Sequence, residues 1–210
     1  ANIVFADADL DAAVNGSAFA IFHNQGQACI AGSRLLLEAP VAEEFQRRFL
    51  DLARTVRLGD PLDPATEMGP LTSPEHRDRV LAYVKVARDE GGEVLCGGRA
   101  PDDPALARGC YVEPTVVRAG PGARVNREEV FGPFVTVTSF SGEDEALELA
   151  NARFGHALTF FEPRLTLQTA RLGTADGVLF AQPRGCLRIL AGFLQRRQLL
   201  LAGLAGQTGG

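Results

Sequence analysis

The spacing of apolar and polar positions changes several times along the chain, and each change marks an element. "NIVF" (residues 2–5) is a short β-rich run. Behind it, Leu10, Ala13, Val14, Ala18, Ile21 and Phe22 recur at helical spacing, with Asp7 or Asp9 placed to cap a helix that stops near Gly26. "SRLLLEAP" (33–40) predicts a strand, and residues 41–56 predict an amphipathic helix. The Pro- and Gly-punctuated stretch "LGDPLDPATEMGPLTSPE" (58–75) predicts a loop, and the periodic segment 74–90 a helix ending at the turn Gly91-Gly92. "EVLC" (93–96), "YVEPTVV" (111–117), "FVTVTSF" (134–140) and "ALTFF" (157–161) read as later strands. "GEDEALELANAR" (142–153) reads as a helix between the last two.

Strands and helices that alternate in this way predict an α/β fold, a three-layer αβα arrangement with a largely parallel sheet. Ligands of such sheets gather at the carboxyl ends of the strands. No internal repeat is visible, and 210 residues are enough for one domain, or one domain with an appendage. The pattern breaks near the end. From Arg164 onward there are six arginines and one acid, a balance of +5, so residues 1–163 carry −10 of the chain's total of −5. Residues 1–180 are therefore expected to form the domain and residues 181–210 a divergent Arg/Leu/Gly-rich tail. Leu187, Leu190 and Leu194 would give that tail a basic, partly amphipathic helix, suited to a membrane surface, a partner, or docking on the domain itself.

The net charge narrows the function classes. An acidic chain lacks the concentrated basic field that phosphate recognition needs, so no nucleic-acid partner is expected. No apolar run approaches the roughly 20 residues needed to span a bilayer, so no membrane association is expected through a spanning helix. Cys29, Cys96, Cys110 and Cys186 are widely spaced, with no C-x-x-C pair and no Cys/His cluster of metal spacing. With no secretory segment at the start, reduced thiols and a cytoplasmic location are the expectation, and no metal site.

Two stretches could carry chemistry. In "FHNQGQACIAGSR" (22–34), Cys29 follows the end of an apolar helix; a lone free cysteine is usually a small buried hydrophobe, and the residues around it are what raise a nucleophile as the alternative. Gly26 permits a turn that residues with a Cβ resist, and Asn24 and Gln27 supply amides. The backbone N–H groups of Ala28 and Cys29 are placed where a helix gives way to a loop, and unpaired N–H groups there could stabilise an oxyanion. In "NREEVFGPFVTV" (126–137), Glu128 and Glu129 precede Phe131, a Gly-Pro turn and a strand. Taken alone, that cluster is a surface acid pair beside a core phenylalanine, or a carboxylate and a ring at a site. His23, His76 and His156 are the available imidazoles, which leaves a cysteine hydrolase as an alternative chemistry; His23 reads as a packing or surface residue.

Together, "F-x-N-x-G-Q-x-C-x-A-x-S-R" and, about a hundred residues later, "E-E-V-F-G-P" resemble the catalytic domain of the aldehyde dehydrogenase superfamily. "ANIVFADADLDAA", "VRLGDPLDPATEMGPL", "GGEVLCGG", "GCYVEPTVV" and "ALELANARFGHALTFF" agree, so that the resemblance covers roughly residues 1–180. The resemblance implies that Cys29 is the nucleophile. Its thiolate attacks an aldehyde to give a thiohemiacetal, a hydride passes to NAD or NADP, and water hydrolyses the thioester to a carboxylic acid. It implies also that the Cys29 N–H supplies part of an oxyanion hole, that Glu129 holds the nicotinamide ribose hydroxyls, and that Phe131 packs by the nicotinamide. Asn24, Gly26 and Gln27 would shape the catalytic loop, and the family's habit implies a homo-oligomer.

The family's polypeptide usually carries a nucleotide-binding domain before this region and an "E-L-G-G-K" segment with the glutamate that activates water. This chain starts just after that segment and shows no G-x-G-x-x-G stretch. After "GVLFAQ" the Arg/Leu tail stands where the family shows a Gly-rich loop, as a shifted reading frame would produce. Little or no dehydrogenase activity is therefore expected of the isolated chain. The alternative is a non-catalytic remnant acting as a partner-binding module.

Overall fold

The computed structural model describes residues 1–152 and 178–180. Among the described residues, four parallel strands form the centre of one six-stranded sheet. They are β1 (Asn2–Val4), β2 (Arg34–Glu38), β4 (Thr115–Arg118) and β5 (Phe134–Phe140). An antiparallel strand closes each edge, β3 (Glu93–Cys96) against β4 and β6 (Val178–Phe180) against β1, giving the order β3-β4-β5-β2-β1-β6. The sheet is thus largely parallel, as the alternation predicts.

Successive side chains of a strand face opposite sides, and the apolar residues divide accordingly. Leu35, Leu37, Val116, Val135 and Val137 pack with helices α1 (Leu10–Phe22) and α2 (Ala39–Thr55). Val117 and Phe134 pack with α3 (Pro74–Asp89), and Leu36 and Phe140 with α4 (Glu143–Asn151), on the other face. Three layers result. Phe45 and Phe49 on α2, one turn apart, are fully buried in the core of the first face, where Phe22 stacks on Phe49 with ring centroids 5.9 Å apart.

The helix boundaries follow local chemistry. Asp9, rather than Asp7, caps α1, its carboxylate accepting from the N–H groups of Asp11 and Ala12 at 3.0 and 3.1 Å. Helix α2 begins two residues earlier than its periodicity suggests, because Pro40 is tolerated in a first turn. Ser73 caps α3 by accepting from the His76 N–H at 3.2 Å, with Pro74 following it. The segment "YVEPTVV" is a strand only from Thr115, since Pro114 has no N–H to give the ladder. Tyr111 instead ties its stretch to the 58–75 loop, donating its hydroxyl proton to the Gly59 carbonyl at 2.9 Å. The strand expected at 157–161, Cys186, His156 and the tail 181–210 lie outside the described residues.

Candidate active site

Helix α1 ends at Phe22, and the chain then reverses through residues of left-handed backbone. Asn24 (φ 51°), Gln25 (φ 58°) and Gly26 (φ 67°) all have positive φ. Asparagine and glycine adopt this region readily, whereas for glutamine it carries strain of roughly 1–3 kcal/mol. The turn is closed twice: the Gln27 N–H donates to the Asn24 carbonyl, and Asn24 Nδ2 donates to the Gln27 carbonyl, both at 3.0 Å. Gln27 Oε1 accepts from the Thr72 N–H at 3.1 Å, which fastens the turn to the 58–75 loop. Asn24 and Gln27 therefore hold the loop's shape through hydrogen bonds of their own.

Cys29 follows at the second position of a turn that the Ala31 N–H closes onto the Ala28 carbonyl at 3.0 Å. Its thiol is exposed. Among the described residues, neither the Ala28 nor the Cys29 N–H donates a hydrogen bond, as expected where a helix gives way to a loop. The loop ends at Arg34, the first residue of β2. The Arg34 guanidinium is buried and donates to the Leu149 and Ala150 carbonyls at 3.0 and 2.9 Å. Carbonyls at a helix end have no partner within their helix, and a buried cation satisfies them well. Arg34 thereby pins the exit of the cysteine loop to helix α4, a role its place at the end of "CIAGSR" does not announce.

The second motif arrives at the same place. A Cβ built on Gly26 would lie 2.0 Å from the Gly132 carbonyl oxygen and 2.4 Å from its carbon, so the two backbones touch at a spot that only glycine allows. Across this junction the loop 128–133 presents Glu129 and Phe131. Phe131 is not a core residue: 36% of it is exposed, and its φ of 59° is a genuine outlier for a bulky side chain. Among the described residues, the only non-glycine positions of positive φ are Asn24, Gln25 and Phe131, and all three flank the Gly26–Gly132 contact. Strain of this kind concentrates at functional sites.

The two acids of the motif differ. Glu128 accepts from Arg124 (3.1 Å) and from the Tyr83 hydroxyl (3.0 Å), and these bonds hold its carboxyl below the usual carboxylate range. Burial pushes the Tyr83 hydroxyl up, and the Glu128 bond adds to that shift. The Glu129 carboxylate is exposed and has no partner among the described residues, while its backbone carbonyl accepts from Arg79 at 3.0 Å. His76 donates its Nε2–H to the Phe131 carbonyl at 2.6 Å, and His23 stacks on Phe19 with centroids 4.7 Å apart. Arg79 and Tyr83 are the residues here that sequence reasoning missed, and His76, read from the sequence only as an available base, holds the loop instead. Their spacing places them on one face of α3, but the helix's buried stripe of Val80, Val84 and Ala87 is the stronger signal.

Both motifs precede their strands, so the assembled site lies at the amino ends of β2 and β5. The expectation of a site at the carboxyl ends is corrected by the topology, because the candidate residues sit on helix-to-strand connections. The carboxyl ends instead hold an open groove of about 620 Å³ lined by Leu37, Glu43, Gln46, Glu93, Arg118 and Val137, which none of the selected residues enters. Among the described residues there is no group of three or more His, Cys, Asp or Glu that could hold a metal ion, and no helix is long and apolar enough to cross a membrane.

Exposure separates the thiols. Cys96 is half-buried on β3, and burial pushes its thiol pKa up, which lowers its thiolate fraction at neutral pH. Iodoacetamide at neutral pH is therefore expected to label Cys29 at least about tenfold faster than Cys96. Peptide mapping of a time course measures the ratio, and equal rates would show that Cys29 is not accessible in solution.

The family model described as "Aldehyde dehydrogenase family" matches residues 1–161. A betaine aldehyde dehydrogenase from Bacillus subtilis is 44% identical over 151 residues, covering 71% of this chain and 31% of the relative. A 2-hydroxymuconic semialdehyde dehydrogenase from Pseudomonas sp. strain CF600 is 43% identical over 184 residues, covering 86% and 37%. Among solved structures, PnpE from Pseudomonas sp. WBC-3 superposes with a TM-score of 0.71 at 65% identity, covering 71% of this chain and 31% of its own. A structure of PnpE in complex with nicotinamide adenine dinucleotide aligns with a TM-score of 0.70. The chain spans about a third of the length of the curated relatives it matches.

Proposed function

The chain belongs to the aldehyde dehydrogenase family, and from that membership we propose that residues 1–180 are the catalytic-domain portion of an NAD- or NADP-dependent oxidoreductase. It converts a small-molecule aldehyde into a carboxylic acid, and residues 181–210 are read from their Arg/Leu/Gly-rich composition as a divergent tail. Cys29 is the nucleophile, Glu129 and Phe131 contact the cofactor, and Asn24, Gly26 and Gln27 shape the nucleophile's loop. The observation that carries this reading is the Gly26–Gly132 junction, which locks an exposed thiol's loop against a loop bearing an unpartnered carboxylate and an exposed ring.

The Cys29 thiolate adds to the aldehyde carbon. A C–S bond forms, and the carbonyl π pair moves onto oxygen. The Cys29 N–H, free of any acceptor among the described residues, donates to that oxygen. When bound, NAD or NADP would supply the acceptor for the hydride that leaves the thiohemiacetal carbon as the oxyanion collapses to C=O, which would leave a thioester on Cys29. Water then adds to that carbonyl, the C–S bond breaks, and the acid leaves with the thiol restored. Glu129 and Phe131 fit a nicotinamide nucleotide, since a free carboxylate offers two acceptors to vicinal hydroxyls and an exposed ring offers an apolar face. PnpE, which this chain resembles, has been solved in complex with nicotinamide adenine dinucleotide, which supports the class of cofactor.

Glu129→Gln keeps the shape and removes the charge. Charge-assisted hydrogen bonds contribute about 1.5–3 kcal/mol, so the dissociation constant for NADH, followed by nucleotide fluorescence, is expected to rise about 10- to 100-fold. An unchanged affinity would remove Glu129 from the cofactor site.

A further inference from the structure

Helix α3 meets the 128–132 loop with three polar side chains spaced along one face, each holding a different part of the loop. Tyr83 donates to the Glu128 carboxylate, Arg79 to the Glu129 carbonyl, and His76 to the Phe131 carbonyl. Between them Val80 packs so close to Gly132 that a Cβ there would lie 2.7 Å from its Cγ2. The His76 bond is the shortest of the three at 2.6 Å, and its acceptor belongs to the residue with the left-handed backbone. The His76 ring also meets the Phe131 ring edge-on, with centroids 6.2 Å apart. A carbonyl only accepts, so His76 carries its proton on Nε2 in this contact. Its own backbone is fixed by the Ser73 cap.

We infer that His76 is a positioning residue: its Nε2–H holds the Phe131 carbonyl, and through it the left-handed backbone that turns the Phe131 ring and the Glu129 carboxylate outward toward the cofactor. The inference rests on the reading that Glu129 and Phe131 contact a nicotinamide nucleotide. Phe131 does not choose positive φ for itself, and two external restraints impose it. One is the Gly26–Gly132 contact on the side of the cysteine loop, and the other is His76 on the side of α3. The second can be removed without disturbing the loop of Cys29.

Two variants separate hydrogen bonding from bulk. His76→Phe keeps an aromatic ring and loses the donor, whereas His76→Gln places an amide N–H at a similar reach. Amide hydrogen exchange reads the loop directly, at the Phe134 and Thr115 N–H groups that donate to the Gly132 and Pro133 carbonyls. His76→Phe is expected to speed exchange at both about tenfold, and to weaken NADH binding by a similar factor, while Cys29 alkylation stays within about twofold. His76→Gln restores both readouts. Unchanged exchange in His76→Phe overturns the positioning role, whatever NADH does. Exchange that responds without any change in NADH affinity overturns the link to the cofactor. Exchange that responds in a complete enzyme that carries this domain and its nucleotide-binding domain yet never binds NADH leaves the positioning role standing and overturns the reading of Glu129 and Phe131.

Discussion

Gly26→Ala is expected to destabilise the fold by about 2–4 kcal/mol and to loosen the cysteine loop from residues 128–133. Two costs combine. A φ of 67° disfavours any residue with a Cβ, at about 1 kcal/mol or more. The new methyl would also sit 2.0 Å from the Gly132 oxygen and 2.9 Å from the Ile21 carbonyl oxygen, and both are backbone atoms that cannot rotate aside. Relief requires the two loops to part, so Cys29 alkylation and exchange at the Phe134 amide should change together. Gly16→Ala is the control. Gly16 lies within α1 with nothing inside 4 Å of its would-be Cβ, and alanine there is expected to be neutral or stabilising by up to about 1 kcal/mol. Urea denaturation compares the two. A Gly26→Ala midpoint equal to that of the parent protein would show that the two loops are not in contact in solution.

That junction is also where the sequence stops being legible. Period and capping residues are local, which is why α1 with an aspartate cap at position 7 or 9, the buried stripe of α2 and the end of α3 at Gly91-Gly92 follow from the chain directly, although only the structure selects Asp9. Strand direction is not encoded in period. The antiparallel pairing of β3 with β4, and of β6 with β1, depends on how the connections run rather than on which residues are apolar. The side chains of the candidate site were legible as types, and Cys29, Glu129 and Phe131 do lie on loops that meet. Their arrangement was not legible. A glycine after Asn24 and Gln25 announces a turn, but nothing local says that Gly132 will rest on it. A phenylalanine before Gly-Pro reads as core until α3 and the cysteine loop are seen to force its backbone left-handed and its ring outward. Glu128 and Glu129 are equivalent on paper, and only the positions of Arg124 and Tyr83 decide which carboxylate is committed and which is free. Arg34 illustrates the same limit, since its partners are carbonyls more than a hundred residues away.

On the proposed reading, and measured in a complete aldehyde dehydrogenase carrying this domain, Cys29→Ser is expected to abolish aldehyde oxidation, lowering turnover on the order of 10⁴-fold or more, while leaving NADH affinity within about twofold. The substitution changes one atom. A serine hydroxyl ionises far less readily than a thiol, so it attacks a carbonyl only when a neighbouring base takes its proton. No imidazole among the described residues is placed to act as that base, since the His76 Nε2–H is committed to the Phe131 carbonyl and His23 lies stacked on Phe19. Glu129 and Phe131 are held by α3 and by the Gly26–Gly132 contact, neither of which involves the thiol, so the cofactor contacts proposed for them are expected to survive. Mass spectrometry adds a second readout. An aldehyde with NAD should leave an acyl mass on the Cys29 peptide of the parent protein and none on the serine variant. A variant that retains a tenth of the parent turnover would exclude Cys29 as the nucleophile. A variant that loses turnover and NADH binding together would show that Cys29 supports the loop's structure. Loss of turnover with the cofactor still bound is the result that separates attack on the substrate from both.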